Sequence, residues 1–343
     1  MYTCPVILRK PFSPGRLVGG GLVLLAVAVA ILWILPSGDY IYLPDEARPV
    51  APLVSVQGGR DPSGPGGIYY DAVIVRRAKL FEQLFHFVHT GETLLPASQV
   101  NPPGSSDRQR FSEDLREMAR SQDVAAAVAL RYLGYHVVVR PTGALVSEVL
   151  ADSPAARAGL EPTDVIVGVD GQPVRTTRDL RRLISTRKPG QAVRLALRAP
   201  RGLRQVRVGT VRGPHGRPLI GVIVDQASQV KLPISVRIDT GSIGGPSAGL
   251  AFALDVLEEL GHDVDRGYRV AATGELETDG TVLPIGGVKQ KTIGARRAKV
   301  DVFLVPAGDN AKEASRYAGH LRVIPVESFR QALQALATLP PKR

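Results

Sequence analysis

The sequence predicts an α+β protein with an apolar N-terminal helix and two folded units, one of which interrupts the other. Three observations support this prediction. One long uncharged apolar run stands near the N-terminus, and short β-type runs bounded by Gly and Pro fill residues 134–212. From residue 225 onward, strand-like and helix-like runs alternate. A length of 343 residues is sufficient for two or three domains.

The composition excludes several classes of protein. Charged residues make up 22 % of the chain, which is ordinary for a folded protein and argues against general disorder. The single cysteine, Cys4, excludes an internal disulfide framework and any multi-cysteine metal site, so we expect no metal and no cofactor. A formal net charge of +11 leaves nucleic acid, anionic lipid and anionic wall polymer open as partners.

Residues 17–36 (LVGGGLVLLAVAVAILWILP) carry no charge and are long enough for a transmembrane helix. Basic residues precede this run and acidic residues follow it, namely Arg9, Lys10 and Arg16 before it and Asp39, Asp45 and Glu46 after it. The positive-inside rule then predicts a single-pass anchor in the cell membrane, with residues 1–16 as a cytoplasmic stub and the rest extracytoplasmic. A cleaved signal peptide and a buried soluble helix are the alternatives.

Residues 41–130 begin with Pro- and Gly-rich sequence and end in a helical pattern. Ile68–Val75 and Phe81–Val88 have the composition of β-strands. Phe111–Tyr132 has apolar and Ala residues at helical spacing, which predicts a long helix.

Residues 134–212 contain the segment SPAARAGLEPTDVIVGVDGQPV, from Ser153 to Val174, which closely resembles the core of a PDZ domain. Such domains bind an extended peptide as an added strand. The resemblance implies a peptide groove along Ala144–Leu150. The residues that would contact the peptide are Gly143, Ala144, Leu145 and Val146. A PDZ fold that serves only as a spacer is the alternative.

The segment GSIGGPSAGLAFAL, from Gly241 to Leu254, begins as a Gly-rich loop and continues with a helical pattern. Ser247 lies at this junction, where unpaired backbone N–H groups and the helix dipole favour an oxyanion. Gly245, Pro246 and Ala248 would then form the oxyanion loop. A plain N-cap and a G-x-S-x-G nucleophile elbow are competing interpretations, whereas the phosphate-binding P-loop pattern is absent from the sequence.

A second motif, LPIGGVKQKTIGARRAKV from Leu283 to Val300, holds three of the nine lysines, two of them directly after Gly286-Gly287 and Val288. A lysine amine acts as a general base for serine when burial among apolar groups lowers its pKa. Lys289 and Lys291 are two residues apart, so on a helix they point to nearly opposite sides and only one can face Ser247.

Together, GGPSAG, TGE and LPIGGVKQK resemble the proteolytic domain of the Lon family, which uses a Ser–Lys dyad. The similarity continues through VFLVPAGDNAKEA and covers roughly 110 residues. It implies that Ser247 is the nucleophile, Lys291 the general base and Thr273 a hydroxyl that supports the dyad. Lys289 would then be a solvated surface residue. The family's usual acidic residue three positions before the serine is replaced by Gly244.

The segment MARSQDVAAAVAL, from Met118 to Leu130, resembles the Lon helix that precedes the catalytic strand. By this resemblance, residues 41–130 and 225–340 form one Lon-type proteolytic domain, and the PDZ domain of residues 134–212 is inserted into it. The whole then resembles the membrane-anchored, PDZ-containing Lon-like proteases of bacteria.

The predicted function is therefore that of an ATP-independent serine endopeptidase on the extracytoplasmic membrane face. Its substrates would be flexible proteins or proteins delivered by the PDZ domain, because no ATPase module is recognisable. A PDZ scaffold with an inactive Lon-like domain is the alternative. Arg residues cluster between Arg198 and Arg217, but no stacking aromatics accompany them, so we expect a solvated edge and no nucleic acid. The family also implies a homo-oligomer, commonly a hexameric ring.

Overall fold

The computed structural model describes residues 14–62, 64–85, 88–101, 106–199 and 202–342, with side chains from residue 18 onward. Cys4 and most of the predicted cytoplasmic stub lie outside the described residues. The helices are α1 (Pro14–Ile34), α2 (Leu80–Leu84), α3 (Ala97–Val100), α4 (Asp107–Tyr132), α5 (Pro154–Arg157), α6 (Thr177–Ser185), α7 (Gly249–Glu259), α8 (Val288–Arg297), α9 (Asp309–Tyr317) and α10 (Phe329–Ala337).

The strands before α6 are β1 (Pro36–Pro44), β2 (Arg48–Pro49), β3 (Val54–Val56), β4 (Gly67–Tyr70), β5 (Val73–Lys79), β6 (Thr93–Pro96), β7 (Val138–Val149), β8 (Val165–Val169) and β9 (Gln172–Pro173). Those after it are β10 (Ala192–Ala199), β11 (Gly202–Gly209), β12 (Val211–Arg212), β13 (Pro218–Leu219), β14 (Val222–Lys231), β15 (Val236–Ile238), β16 (Arg269–Ala272), β17 (Glu275–Leu276), β18 (Val282–Leu283), β19 (Val302–Pro306) and β20 (Arg322–Val326).

One sheet joins the two ends of the chain. Its strand order is β2-β4-β16-β19-β20, and β4 pairs in parallel with β16, which follows it by about two hundred residues. Strand β3 likewise pairs with β15. Helices α4 and α7 pack on one face of this sheet, and α8 and α9 pack on the other, so residues from both ends share each core. We call this body the protease unit.

The intervening residues form a sheet of their own, with the order β11-β10-β8-β7-β14. Its core contains Leu160, Ile166 and Leu195, together with Leu180 and Leu183 from α6. Gly159 ends α5 with φ of 73°, a conformation that glycine adopts without a steric penalty. Strand β14 belongs to this sheet, so the body, which we call the PDZ unit, extends to Lys231 and passes the predicted limit at residue 212.

Two predicted strands differ from the structure. The run Ile68–Val75 is divided between β4 and β5, which belong to different sheets. Residues 80–84 form helix α2 instead of a strand, because the Glu82 carboxylate accepts the Lys79 N–H at 2.8 Å and pairs with Arg76 and His89. Residues 86–87 of that predicted strand lie outside the described residues, and Phe85 and Val88 are not in a strand. The Arg cluster is largely exposed, as predicted. Arg204 pairs with buried Asp164 at 2.6 Å, and Arg201 is not among the described residues.

Helix α1 exposes apolar side chains around its surface, including Leu22, Leu24 and Ile34. Throughout the described residues, no helix is both long enough and apolar enough to span a membrane, so the predicted span of residues 17–36 is not found there.

Candidate active site

Helix α4 holds the loop that carries Ser247. The Gly245 N–H donates to the Asp114 carbonyl at 2.7 Å, and the Ser121 hydroxyl donates to the Pro246 carbonyl at 2.9 Å. Gly244 lies so close to α4 that a Cβ at this position would be 2.6 Å from Asp114 Cβ. The family's acidic residue therefore has no room here, which gives a physical reason for glycine at this position.

Lys291 reaches Ser247 from helix α8. Gly287, with φ of 70°, turns the chain into this helix, and the Lys291 N–H donates to the Gly287 carbonyl. The Lys291 side chain is only 3 % exposed. Its Nζ lies 2.6 Å from Ser247 Oγ and 3.0 Å from Thr273 Oγ1. The structure thus brings together the three side chains that the sequence predicted as dyad and support.

Thr273 links the two members of the pair. It follows β16 and is fully buried, and its hydroxyl donates to the Ser247 carbonyl at 3.1 Å while facing Lys291. The next residue, Gly274, donates its N–H to the same Ser247 carbonyl at 2.8 Å. Two bonds from one strand end therefore fix the backbone of Ser247 relative to the amine.

Burial lowers the pKa of the Lys291 amine below its ordinary value, and the negative charge of Asp71 partly opposes this shift. A buried ammonium loses its hydration, so the neutral amine gains relative to the charged form. This is the direction that a general base requires, because only the neutral amine can accept a proton.

The backbone before α7 offers N–H groups beside the serine. Among the described residues, neither the Ser247 N–H nor the Ala248 N–H has a recorded hydrogen-bond acceptor, whereas the Gly249 N–H donates to the Pro246 carbonyl at 3.3 Å. The helix itself begins at Gly249, two residues later than predicted. Both free donors are thus at the positive end of the helix dipole, where an oxyanion is stabilised.

Lys289 is not the solvated residue that was predicted. Its ammonium donates to the Glu92 carbonyl at 2.7 Å and lies 5.7 Å from the centre of the Tyr317 ring. The expectation that only one of the two lysines faces Ser247 is confirmed, since Lys289 points to the opposite side of α8 and fastens it to residues 92–93.

The predicted peptide groove is wrong, because strand β7 lies inside its sheet. Ala144 pairs with Gln226 of β14 on one side and with Ile166 of β8 on the other, and both Ala144 and Val146 are fully buried. Leu145 is paired on both sides in the same way, and Gly143 pairs with Ala227 of β14. Their backbone groups are therefore not free to bind a peptide.

The edge strand on this side of the PDZ unit is β14, which pairs with β7 alone among the described strands and packs beside α6. The sequence signal for it was the apolar run Leu219-Ile220-Gly221-Val222, in which a Gly leads into a strand. A second missed residue is Asp71, the only charge within the apolar run IYYDAVIV, which is buried near Lys291.

Comparisons with known proteins agree with the two units. Residues 221–338 match the family "Lon protease (S16) C-terminal proteolytic domain", and residues 145–198 match the PDZ domain family. The chain is 38 % identical over 115 residues to a Lon protease of Chloroflexus aggregans, and this match covers 31 % of the chain and 14 % of that relative.

A probable periplasmic serine endoprotease DegP-like of Pseudomonas fulva is 28 % identical over 185 residues, which cover 51 % of this chain and 36 % of the relative. The PDZ domain of an SdrC-like protein from Listeria monocytogenes is 25 % identical with a TM-score of 0.23, covering 24 % of this chain and 87 % of that one. The chain thus spans about a seventh of the Lon relative and about a third of the DegP-like one. Ser247, Thr273 and Lys291 all lie within the matched Lon segment, and the chain therefore contains a Lon-type proteolytic domain together with a PDZ domain.

Proposed function

We propose that this chain is a serine endopeptidase that cleaves proteins through a Ser247–Lys291 dyad and without ATP. The observation that carries the proposal is the 2.6 Å approach of Lys291 Nζ to Ser247 Oγ in a buried site. A serine that served only as an N-cap would require no buried amine, and burying an amine is costly unless the site uses it.

In the proposed reaction, neutral Lys291 takes the proton of Ser247 Oγ as the oxygen attacks the scissile carbonyl. Thr273 holds the amine in line, and the Ser247 and Ala248 N–H groups receive the developing oxyanion. Lys291 then gives its proton to the leaving amine. A water molecule hydrolyses the acyl-enzyme by the same route, with Lys291 again acting first as base and then as acid.

The test is cleavage of β-casein, an unstructured protein, by the purified full chain without ATP. Removal of a general base costs about 10²–10⁴-fold in rate, so Ser247→Ala and Lys291→Met should abolish measurable turnover. Lys289→Met is the matched control, since it removes the same charge from the same helix and should retain cleavage.

Retained cleavage by either dyad variant would refute this assignment. No cleavage by the wild-type chain, together with no labelling of Ser247 by a fluorophosphonate probe, would favour the alternative of a PDZ scaffold with an inactive Lon-like domain.

We propose further that the PDZ unit binds extended peptide segments by adding them to β14 and thereby delivers substrates. Support comes from the unpaired side of this strand and from its exposed Ile223. A photo-crosslinking residue at position 223 of a Ser247→Ala chain should capture casein. The same residue at position 203, an exposed apolar site on edge strand β11, should not, and equal capture at both would contradict the assignment.

We also propose that residues 17–36 anchor the chain in a membrane, with the catalytic part on the extracytoplasmic side. The support is the uncharged run itself, the exposure of its apolar side chains and the basic residues before it. Leu24→Arg with Val27→Arg should move the chain from the carbonate-washed membrane fraction to the supernatant, whereas Leu24→Ile with Val27→Leu should not. External protease should digest the catalytic part in spheroplasts but not in inside-out vesicles.

A homo-oligomer is the last part of the proposal and rests on the Lon resemblance alone. Light scattering of the detergent-purified chain should give a mass of several protomers, and a hexamer would fit the ring expected from the family. A monomer at micromolar concentration would refute it.

A further inference from the structure

Asp71 is a buried acid that the proposed reaction has not used. It is 4 % exposed, and within the described residues neither of its carboxylate oxygens has a hydrogen-bond partner. A buried carboxylate without partners is destabilised relative to a paired one. A buried polar group without a partner requires an explanation, and the site around Asp71 is where we look for it.

The strand register places Asp71 beside the dyad. Tyr70 of β4 pairs in parallel with Ala272 of β16. Asp71 and Thr273 are the next residues, so they lie side by side at the carboxyl ends of these two strands. Side chains two residues apart on a strand point to the same face of the sheet. Tyr69 and Ala271 pack into the core under α8, so Asp71 and Thr273 lie on that face as well. Thr273 faces Lys291 there, at 3.0 Å from its amine.

The start of helix α8 also packs against this crossing. A Cβ at Gly287 would lie 2.9 Å from Val73 Cγ2, so the first turn of the helix touches the chain two residues after Asp71. Between β4 and β5, the chain passes from the central sheet to the sheet of β1 and β6, and Asp71 occupies this crossing. The acid is therefore held between the strand that carries Thr273 and the helix that carries Lys291.

The electrostatic environment of the pair is simple. Burial raises the pKa of Asp71 and lowers that of Lys291, and each of these shifts is opposed only by the charge of the other residue. Lys289, the other cation of the same turn, points away to Glu92. Among the described residues, Asp71 is thus the charged group that acts on the amine.

We propose that Asp71 is a positioning residue of the dyad: its carboxylate stabilises the ammonium form that Lys291 takes while Ser247 is acylated. The proposal rests on the function proposed above. The proton moves only between Ser247 Oγ, Lys291 Nζ and the leaving amine, and Asp71 acts on the amine in its carboxylate form. Its charge makes Lys291 a stronger base than burial alone would leave it.

Replacement of Asp71 by Asn tests this role because it keeps the shape of the side chain and removes the charge. The Asp71 charge raises the pKa of Lys291, so Asp71→Asn should let burial lower it further. The acid limb of kcat/KM for β-casein should move to lower pH by about one to three units. Because the amine becomes a weaker base, kcat on the alkaline plateau should fall about tenfold, with KM unchanged.

Asp255→Asn is the matched control. Asp255 is another buried acid with an unpartnered oxygen, but the charges that act on it are Glu259, Glu258 and Asp265. This variant should keep the acid limb of the wild type. An unmoved limb in Asp71→Asn, or an equal movement in both variants, would overturn the proposal, since a purely structural defect lowers turnover without moving the limb.

A second measurement does not depend on cleavage activity. It also does not require that the Asp71→Asn variant folds. In a chain labelled with ¹³C at the aspartate carboxyl carbon, the Asp71 carboxyl should titrate at higher pH in Lys291→Met than in the wild type, because the opposing ammonium is gone. Lys289→Met should leave it unchanged. Unchanged titration in Lys291→Met would overturn the proposal, whereas this shift in a chain that cleaves nothing would refute only the proposed function.

Discussion

The protease unit and the PDZ unit differ at their buried acids, although the protease unit also contains a fully paired one, Glu82. In the protease unit, Asp71, Lys291 and Asp255 are buried, and the oxygens of both acids include atoms without partners. In the PDZ unit, buried Asp164 accepts the Glu161 N–H at 3.0 Å and pairs with Arg204 at 2.6 Å. The remaining core of that unit is apolar apart from buried Ser153 and Thr210.

This difference shows which unit contains side chains suited to acid–base chemistry. Unpaired buried acids and amines reduce stability but provide groups with shifted pKa values, which chemistry requires. A unit that only presents a strand edge has no such need, and its one deeply buried acid is neutralised. The predictions below alter one unit at a time and ask whether the other responds.

The largest expected effect comes from Gly244→Ala in the protease unit. The added Cβ would lie 2.6 Å from Asp114 Cβ and 3.1 Å from its carbonyl carbon, so the loop that carries Ser247 must move. Displacement of a reacting group by about 1 Å costs roughly 100-fold in turnover. Casein cleavage should fall by this factor while crosslinking at position 223 of the PDZ unit persists. Gly286→Ala, where a Cβ meets no atom within 4 Å, should remain active.

An intermediate effect is expected from Asp164→Ala in the PDZ unit. It removes the buried partner of Arg204 and the acceptor of the Glu161 N–H, which should lower the free energy of unfolding by about 2 kcal/mol. Urea denaturation measures this change. Lys312→Ala breaks an exposed pair with Asp309 in the protease unit and should leave the midpoint of urea denaturation nearly unchanged. Equal losses in the two variants would show that burial does not distinguish these pairs.

The smallest effect is a pH-dependent gain from Asp255→Asn. Burial, followed by the charges of Glu259 and Glu258, raises the pKa of Asp255 to about 8. A carboxyl with a raised pKa favours the folded state below its unfolded pKa and loses that contribution as pH rises through about 8. The variant should therefore raise Tm by about 2–4 °C at pH 9 and change it little at pH 5. A gain of the same size at both pH values would contradict the assigned charge state.

The sequence was sufficient for the residues whose roles depend on local motifs. Ser247 was singled out by a Gly-rich loop that leads into a helix, and the roles of Ser247, Thr273 and Lys291 followed from the resemblance of their short motifs to the Lon proteolytic domain. The opposite directions of Lys289 and Lys291 followed from helix geometry alone.

The residues that were missed depend on pairing between distant parts of the chain. Alternation showed that residues near Ala144 form a strand, but a strand pattern does not reveal how many neighbours that strand has. The partner that covers it, β14, comes some eighty residues later. Asp71 gains its significance only from β16 and α8. Residues 80–84 became a helix because buried Glu82 is satisfied by Arg76 and His89, which no local propensity encodes.

The pairing of β7 with β14 also determines how the inserted unit is attached. The chain leaves the protease unit before Val138 and returns after Lys231, and these two residues are themselves paired. The connection is therefore a two-stranded ribbon, in contrast to a single tether. Its outer strand, β14, is the strand to which we propose that peptides are added. A segment bound there would lie on a strand that leads directly into the protease unit.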